Sequence, residues 1–142
     1  MAELIVQTSS NELLPAFGGP SGDLVYFLSF AVAERYGSTH DLSGAAAIIR
    51  HQHNRDVLRP LLTFAEDNPS DPEDKQDMDA IWQDAGPVAE SARLAAESIR
   101  GSERLLDLTK DFPDLLPRLD DLAQIAAWAV ERNARIRLLF RL

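Results

Sequence analysis

No cysteine occurs among the 142 residues, which excludes disulfide frameworks, thiol nucleophiles and thiolate metal sites together. Any metal centre must then use histidine and carboxylate. Long hydrophobic runs are also missing. The longest, Leu24 to Ala33 with Ser29 inside it, is about half of what a bilayer span requires. The first eight residues carry Leu4, Ile5 and Val6 behind Glu3 without any basic residue, so they lack the charged start and the apolar length of a secretory signal. A cytoplasmic protein that does not enter a membrane is the expectation. Lysine is scarce as well, with only Lys75 and Lys110 among 14 basic residues. The rest are arginines, whose forked donors make the more persistent ion pairs.

The chain does hold a concentrated block of acid. Between Glu66 and Asp84 lie Glu66, Asp67, Asp71, Glu73, Asp74, Asp77, Asp79 and Asp84 against Lys75 alone, a local charge of −7 within a total of −9. Such a tract repels nucleic acid and anionic membrane and favours a basic partner surface. Glu66, Asp67, Asp71, Glu73, Asp74, Asp77 and Asp79 are therefore the candidate partner-binding residues. The flanks sum to −2 over residues 1–65 and to zero over 85–142. Acids confined in this way do not make the long carboxylate face that an acidic DNA mimic needs, so that alternative ranks below protein binding.

One domain is expected over residues 1–142, because 45% hydrophobic content can fill one core. Residues 1–22 are loop-rich: the stretch NELLPAFGGPSG collects two prolines and three glycines before Asp23, which can cap a helix. From Asp23 to Tyr36 apolar residues run nearly all round a helix, as in a buried position. Asp41 or Ser43 can start a second helix, whose small residues Gly44 to Ala47 allow close approach and which kinks or restarts at Pro60. NPSDP, residues 68–72, is a turn in the acidic connection of residues 66–79. A short helix from Glu73 to Asp84 follows.

Gly86-Pro87 breaks that helix and starts the next, which presents Val88, Ala92, Ala95 and Ile99 on one side and alternating charge on the other, up to a break or kink at Gly101-Ser102. Beyond Pro113, the residues Leu119, Leu122, Ala126, Ala129, Asn133, Ile136 and Phe140 step by three and four, the seam of one long C-terminal helix. Arg132, Arg135, Arg137 and Arg141 would compensate its dipole. Every apolar segment after residue 22 reads as helical. The fold class is accordingly all-α, a compact bundle of about five or six helices with negligible strand. Its helical faces exceed what one small bundle buries, which points to a homodimer.

No residue set has the spacing of a known reaction. His51 and His53 lie two apart, about 200° around a helix, and so cannot chelate one ion as residues four apart can. His40 stands at a loop beside Asp41. In the acidic tract, a calcium loop begun at Asp67 puts Pro69 third and Met78 twelfth, and one begun at Asp71 puts Lys75 fifth and Trp82 twelfth. Neither register works. Gly18, Gly19 and Gly22 lack the Lys-Ser/Thr of a phosphate loop, and Asp23 sits where the anion would. The reading is a non-catalytic helical interaction protein (adaptor, regulator or neutraliser) that engages a protein partner without metal, cofactor or direct nucleic-acid contact. The competing class is a helical enzyme or metal-binding protein using His51, His53, Glu34 or Asp56.

Overall fold

A computed structural model describes residues 2–32, 41–53, 62–64, 76 and 79–141. It corrects the all-α expectation: the chain is mixed α/β, with helices on a sheet. The elements are β1 (Glu3–Thr8), α1 (Gly22–Val32), α2 (Asp41–His53), β2 (Leu62–Phe64), β3 (Gln83–Asp84), α3 (Ala85–Arg100), α4 (Glu103–Thr109), α5 (Leu115–Glu131) and β4 (Arg135–Arg141).

The long C-terminal helix is where the sequence reading fails. α5 stops at Glu131, and Asn133 takes the left-handed conformation at φ 53°. The Ala134 N–H donates to the Ala129 carbonyl at 2.9 Å and the Asn133 N–H to that of Val130 at 3.0 Å. That pair of bonds is a Schellman termination, in which a left-handed residue lets the chain satisfy the helix's last carbonyls while turning away from the axis. Asn133 therefore ends the helix instead of continuing its seam. Ile136 and Phe140 do lie at helical spacing from Ala129, but Ile136, Leu138 and Phe140 also alternate with Arg135 and Arg137. Over so short a run the two periods coincide, and the terminator decides between them.

β4 is the central strand. β1 pairs with it antiparallel from Glu3↔Arg141 to Thr8↔Ile136. On its other edge β2 pairs parallel at Leu62↔Leu138 to Phe64↔Phe140, and β3 antiparallel at Gln83↔Ile136. β1 falls in the segment expected as loop, β2 in the stretch expected as helix near Leu62, and β3 at the expected end of the helix from Glu73. All three are short, and a short strand carries little local signal until its partner is known.

The even-numbered face of β1 and β4 meets the helices. Leu4, Ile136 and Leu138 are buried there in one cluster with Leu24 and Phe27 of α1 and with Leu119, Leu122, Ile125 and Ala126 of α5, and Val6 and Phe140 pack against it. On the odd face Leu139 and Ile81 are buried with Ile5 beside them. Both faces of β4 are thus covered, as its near-continuous apolar run requires.

Among the helices, α3 lays Ala85, Ala92, Ala95 and Ala96 toward the core. Alanines permit close helix approach, and α3 packs chiefly on α5. Arg100 and Asp120 pair across the edge of that contact. Gly101 and Ser102 separate α3 from α4, and the Ser102 hydroxyl accepts the Leu105 N–H at 3.3 Å, a helix N-cap. α1 buries Leu24, Val25, Phe27 and Leu28, yet Tyr26 is half exposed, so this helix does have a wet side. Among the described residues no helix is long and apolar enough to cross a membrane.

The termination at Asn133 gives a direct test. Glycine adopts positive φ without strain and a β-branched residue does not. Asn133→Gly is expected to leave the urea midpoint unchanged or slightly raised, and Asn133→Val to lower stability by about 1–2 kcal/mol.

Candidate functional site

β4 is paired on both edges, whereas β1 is paired on one. Which backbone groups of β1 face outward follows from its hydrogen bonds. The Ser9 N–H donates to the Arg135 carbonyl at 3.0 Å, so odd residues face β4. The Leu4 N–H instead donates to the Ser21 hydroxyl at 2.8 Å, away from β4. In an antiparallel pair these two kinds of residue alternate, which directs the N–H and C=O groups of Leu4, Val6 and Thr8 outward. Those of Val6 and Thr8 have no hydrogen-bond partner among the described residues.

Beside this edge lies a cleft of about 610 Å³. One side is β1 from Ala2 to Val6. The other is the loop from Leu14 to Ser21, and Ile125 of α5 contributes from below. Leu4, Val6, Leu14, Phe17 and Ile125 give it an apolar lining, and Glu3 is the only charged residue of that lining among the described residues. No ion pair of Glu3 exists among the described residues.

Polar ties fasten the loop to α5 and, at its far end, to β1. Arg132 at the end of α5 meets Glu12 at 2.8 Å, stacks 4.1 Å over the Trp128 ring and donates to the Trp128 carbonyl at 3.1 Å. The Gly18 N–H donates to Asp121 Oδ2 at 3.1 Å, and the same oxygen lies 3.1 Å from Arg118 Nε. Gly19 rests against the Arg118 guanidinium so closely that a Cβ there would stand 2.4 Å from Nη1. At the far end, buried Ser21 returns the chain to β1 through Leu4. Gly22 approaches the Ala2 carbonyl, with 3.1 Å left for a Cβ. The glycine content that the sequence offered as loop signal is thus used in part for close approach to Arg118 and to β1.

Asp23 ties α1 to α5: its Oδ2 accepts the Asp114 N–H at 3.3 Å, next to the start of α5. Burial pushes the Asp23 carboxyl above its ordinary value of 3.8, the Asp114 N–H pulls it down, and the Asp114 charge pushes it up again.

The residues proposed from sequence lie elsewhere. Glu66, Asp67, Asp71, Glu73, Asp74 and Asp77 fall outside the described residues. Asp79 is exposed, 3.4 Å from Arg137 Nη1, and Asp84 is exposed, 3.9 Å from Arg135 Nε. The two described acids of the tract therefore face arginines of the same chain. Arg137 also donates to Gln7 Oε1 at 2.6 Å and stacks 4.6 Å over Trp82, which fastens this segment to the odd face of the sheet. Arg135 and Arg137 belong to a strand, so dipole compensation at a helix end applies to Arg132 alone. His51 is exposed on α2, and His53 is the last residue of that helix. Glu34, His40 and Asp56 fall outside the described residues. Among the described residues no group of three or more histidines and carboxylates is placed to hold a metal. The cleft was missed because its walls read as an apolar N-terminal patch and a glycine-proline loop; the apolar, β-branched run Leu4-Ile5-Val6 was the available strand signal.

No protein-family model matches the chain, and neither a curated protein nor a solved structure matches it.

Two predictions test the cleft's supports. Gly19→Ala is expected to lower stability by displacing the Arg118 guanidinium, and to cost less in an Arg118→Ala background, with a coupling of about 1 kcal/mol in a double-mutant cycle by denaturant unfolding. For Asp23, a carboxyl raised in the folded state contributes stability at pH below its unfolded value of 3.8 and loses it as pH rises through the folded value. Asn can still accept the Asp114 N–H and does not ionise. Asp23→Asn should therefore show a smaller fall in Tm than the parent as pH rises from about 3 through the carboxylate range, measured by thermal unfolding.

Proposed function

We propose that this chain is a non-catalytic interaction protein, cytoplasmic in setting, that takes an extended segment of a protein partner as an added strand along β1. The single observation that carries this reading is the β1 edge that no described strand pairs, with outward backbone groups at Val6 and Thr8 next to an apolar cleft. Strand addition draws affinity from main-chain hydrogen bonds and specificity from pockets for alternate side chains. Both elements are adjacent here. An unprotected edge is a liability that proteins blunt with charge, proline, bulges or a covering segment. Leu4 to Ser10 carries neither charge nor proline, and the loop meets this edge at Leu4, through Ser21, leaving Val6 and Thr8 without a backbone partner on that side among the described residues.

The acidic tract is a weaker basis for the partner site, since Asp79 and Asp84 face arginines of the same chain. A small-molecule site would need convergent polar side chains in the cleft. Its lining supplies chiefly apolar side chains and a strand edge.

The reading is tested at Val6, where proline removes the outward N–H without removing a β1–β4 ladder bond. Peptides selected from a displayed library for binding to the parent protein should lose at least tenfold in affinity, about 1.4 kcal/mol, to Val6→Pro. They should bind Val6→Ala more nearly as they bind the parent, because alanine loses side-chain bulk and keeps the N–H. Binders insensitive to Val6→Pro in a folded variant would place the interaction elsewhere.

A further inference from the structure

The length and direction of the segment that β1 accepts follow from where its edge begins and ends, an inference that rests on the strand-addition reading above. At the N-terminal end the edge is already filled. Buried Ser21 accepts the Leu4 N–H at 2.8 Å, and a Cβ on Gly22 would stand 3.1 Å from the Ala2 carbonyl oxygen. The Ser21 carbonyl in turn accepts the Val25 N–H at 3.1 Å, which joins this stop to the start of α1. At the other end β1 finishes at Thr8. There the Ser10 hydroxyl accepts the Glu12 N–H at 3.1 Å, in a turn that leads the chain to the Glu12–Arg132 pair. Val6 and Thr8, between the two ends, keep outward backbone groups that have no partner among the described residues.

A ledge of this length favours one arrangement. In an antiparallel pair each outward residue exchanges both of its bonds with the single residue opposite, so Val6 and Thr8 engage two partner residues that lie two positions apart. A parallel segment staggers its bonds and reaches back toward Leu4, where Ser21 stands. So few backbone bonds hold a segment weakly, because each replaces bonds to water. A side chain must add apolar contact. Residues directly opposite one another point to the same face of a sheet, and the partner side chain opposite Val6 falls on the face where Val6, Leu14, Phe17 and Ile125 line the cleft. Along β1 that lining runs from Ala2 to Val6, so the residue opposite Val6 is the anchor and the one opposite Thr8 is not.

We infer that the partner is a short linear segment, antiparallel to β1, bonded through its backbone at two residues two positions apart, with one large apolar side chain on the C-terminal residue of the two. Beyond that anchor the Ser21–Gly22 stop turns the partner chain off the edge. A long strand, or the sheet edge of a folded domain or of a second copy, would need the positions that Ser21 and the Ser10–Glu12 turn close.

The test starts from random heptapeptides displayed as a library, selected on the parent protein and retained where Val6→Pro abolishes binding. Each is resynthesised with its backbone amides N-methylated one at a time and its side chains replaced by serine one at a time, and binding is followed by calorimetry. N-methylation is expected to weaken binding about tenfold at two amides, two positions apart. The serine replacement that weakens binding most should fall on the C-terminal residue of that pair. Hydrogen exchange should slow at Val6 and Thr8 when peptide binds, and the Leu4 amide, slow beforehand, should not change.

Three or more sensitive amides, a Leu4 amide protected only by peptide, or an anchor outside the C-terminal residue of the pair would overturn the short antiparallel segment and leave strand addition standing. Failure to recover any heptapeptide that Val6→Pro abolishes, or recovery of ones with no sensitive amide, would overturn both. Protection of Val6 and Thr8 that rises with protein concentration, without peptide, would assign the edge to a second copy and overturn the inference as well.

Discussion

The insertion of β4 between β1 and the β2–β3 edge is the interaction on which the rest of the structure depends. A strand buried on both faces leaves no water for its backbone, so its N–H and C=O groups need partners in the protein. β1 supplies them along one edge, and β2 and β3 divide the other. Three segments far apart in the chain are thereby fixed to one another. The side chains follow: Ile136 and Leu138 join the helical core, and Leu139 joins Ile5 and Ile81 on the opposite face. The helices could bury their faces in several arrangements, but β4 orients them by presenting one apolar surface with a definite direction.

The same arrangement determines where the molecule is open. Because β4 takes the centre, β1 is left with an outward edge, and the segment after it must return to α1 beside that edge. It is tied at Glu12 to Arg132 and at Gly18 to Asp121, and it reaches the edge itself where Ser21 meets Leu4. The Glu12–Arg132 tie is modest, since exposed ion pairs contribute about 0–1 kcal/mol. The combined effect of the ties is geometric. A wall held in place at several points forms the cleft before any ligand arrives, which reduces the ordering cost of binding.

Electrostatics fastens one segment to the odd face of the sheet. The arginines of β4 fasten the segment that holds Ile81 and Trp82: Arg137 contacts Trp82, Gln7 and Asp79, and the Arg135 guanidinium donates to the Trp82 carbonyl at 3.0 Å. An arginine that stacks on a ring while donating from its edge serves this role better than a lysine, whose ammonium is compact and strongly hydrated. Arg137 is largely buried in this role, whereas the Arg135 side chain stays more than half exposed.

The sequence by itself determined the helices whose ends carry local chemistry. Pro87 near the start of α3, the Gly101-Ser102 break and Pro113 before α5 act within a few residues of themselves, and the alternation of small and large apolar residues marks the buried faces. It also located the acid and excluded cysteine chemistry. The tertiary structure decided the strands and, with them, the site. Residues 129–140 satisfy helical and alternating spacing at once, and a left-handed Asn133 is a choice made when β4 finds its neighbours. β1 spans six residues, and its partner begins more than a hundred residues later. Whether its Val6 N–H faces a neighbour or a cleft depends on which strands stand on either side, because an edge is a property of the assembled sheet and has no counterpart in local sequence.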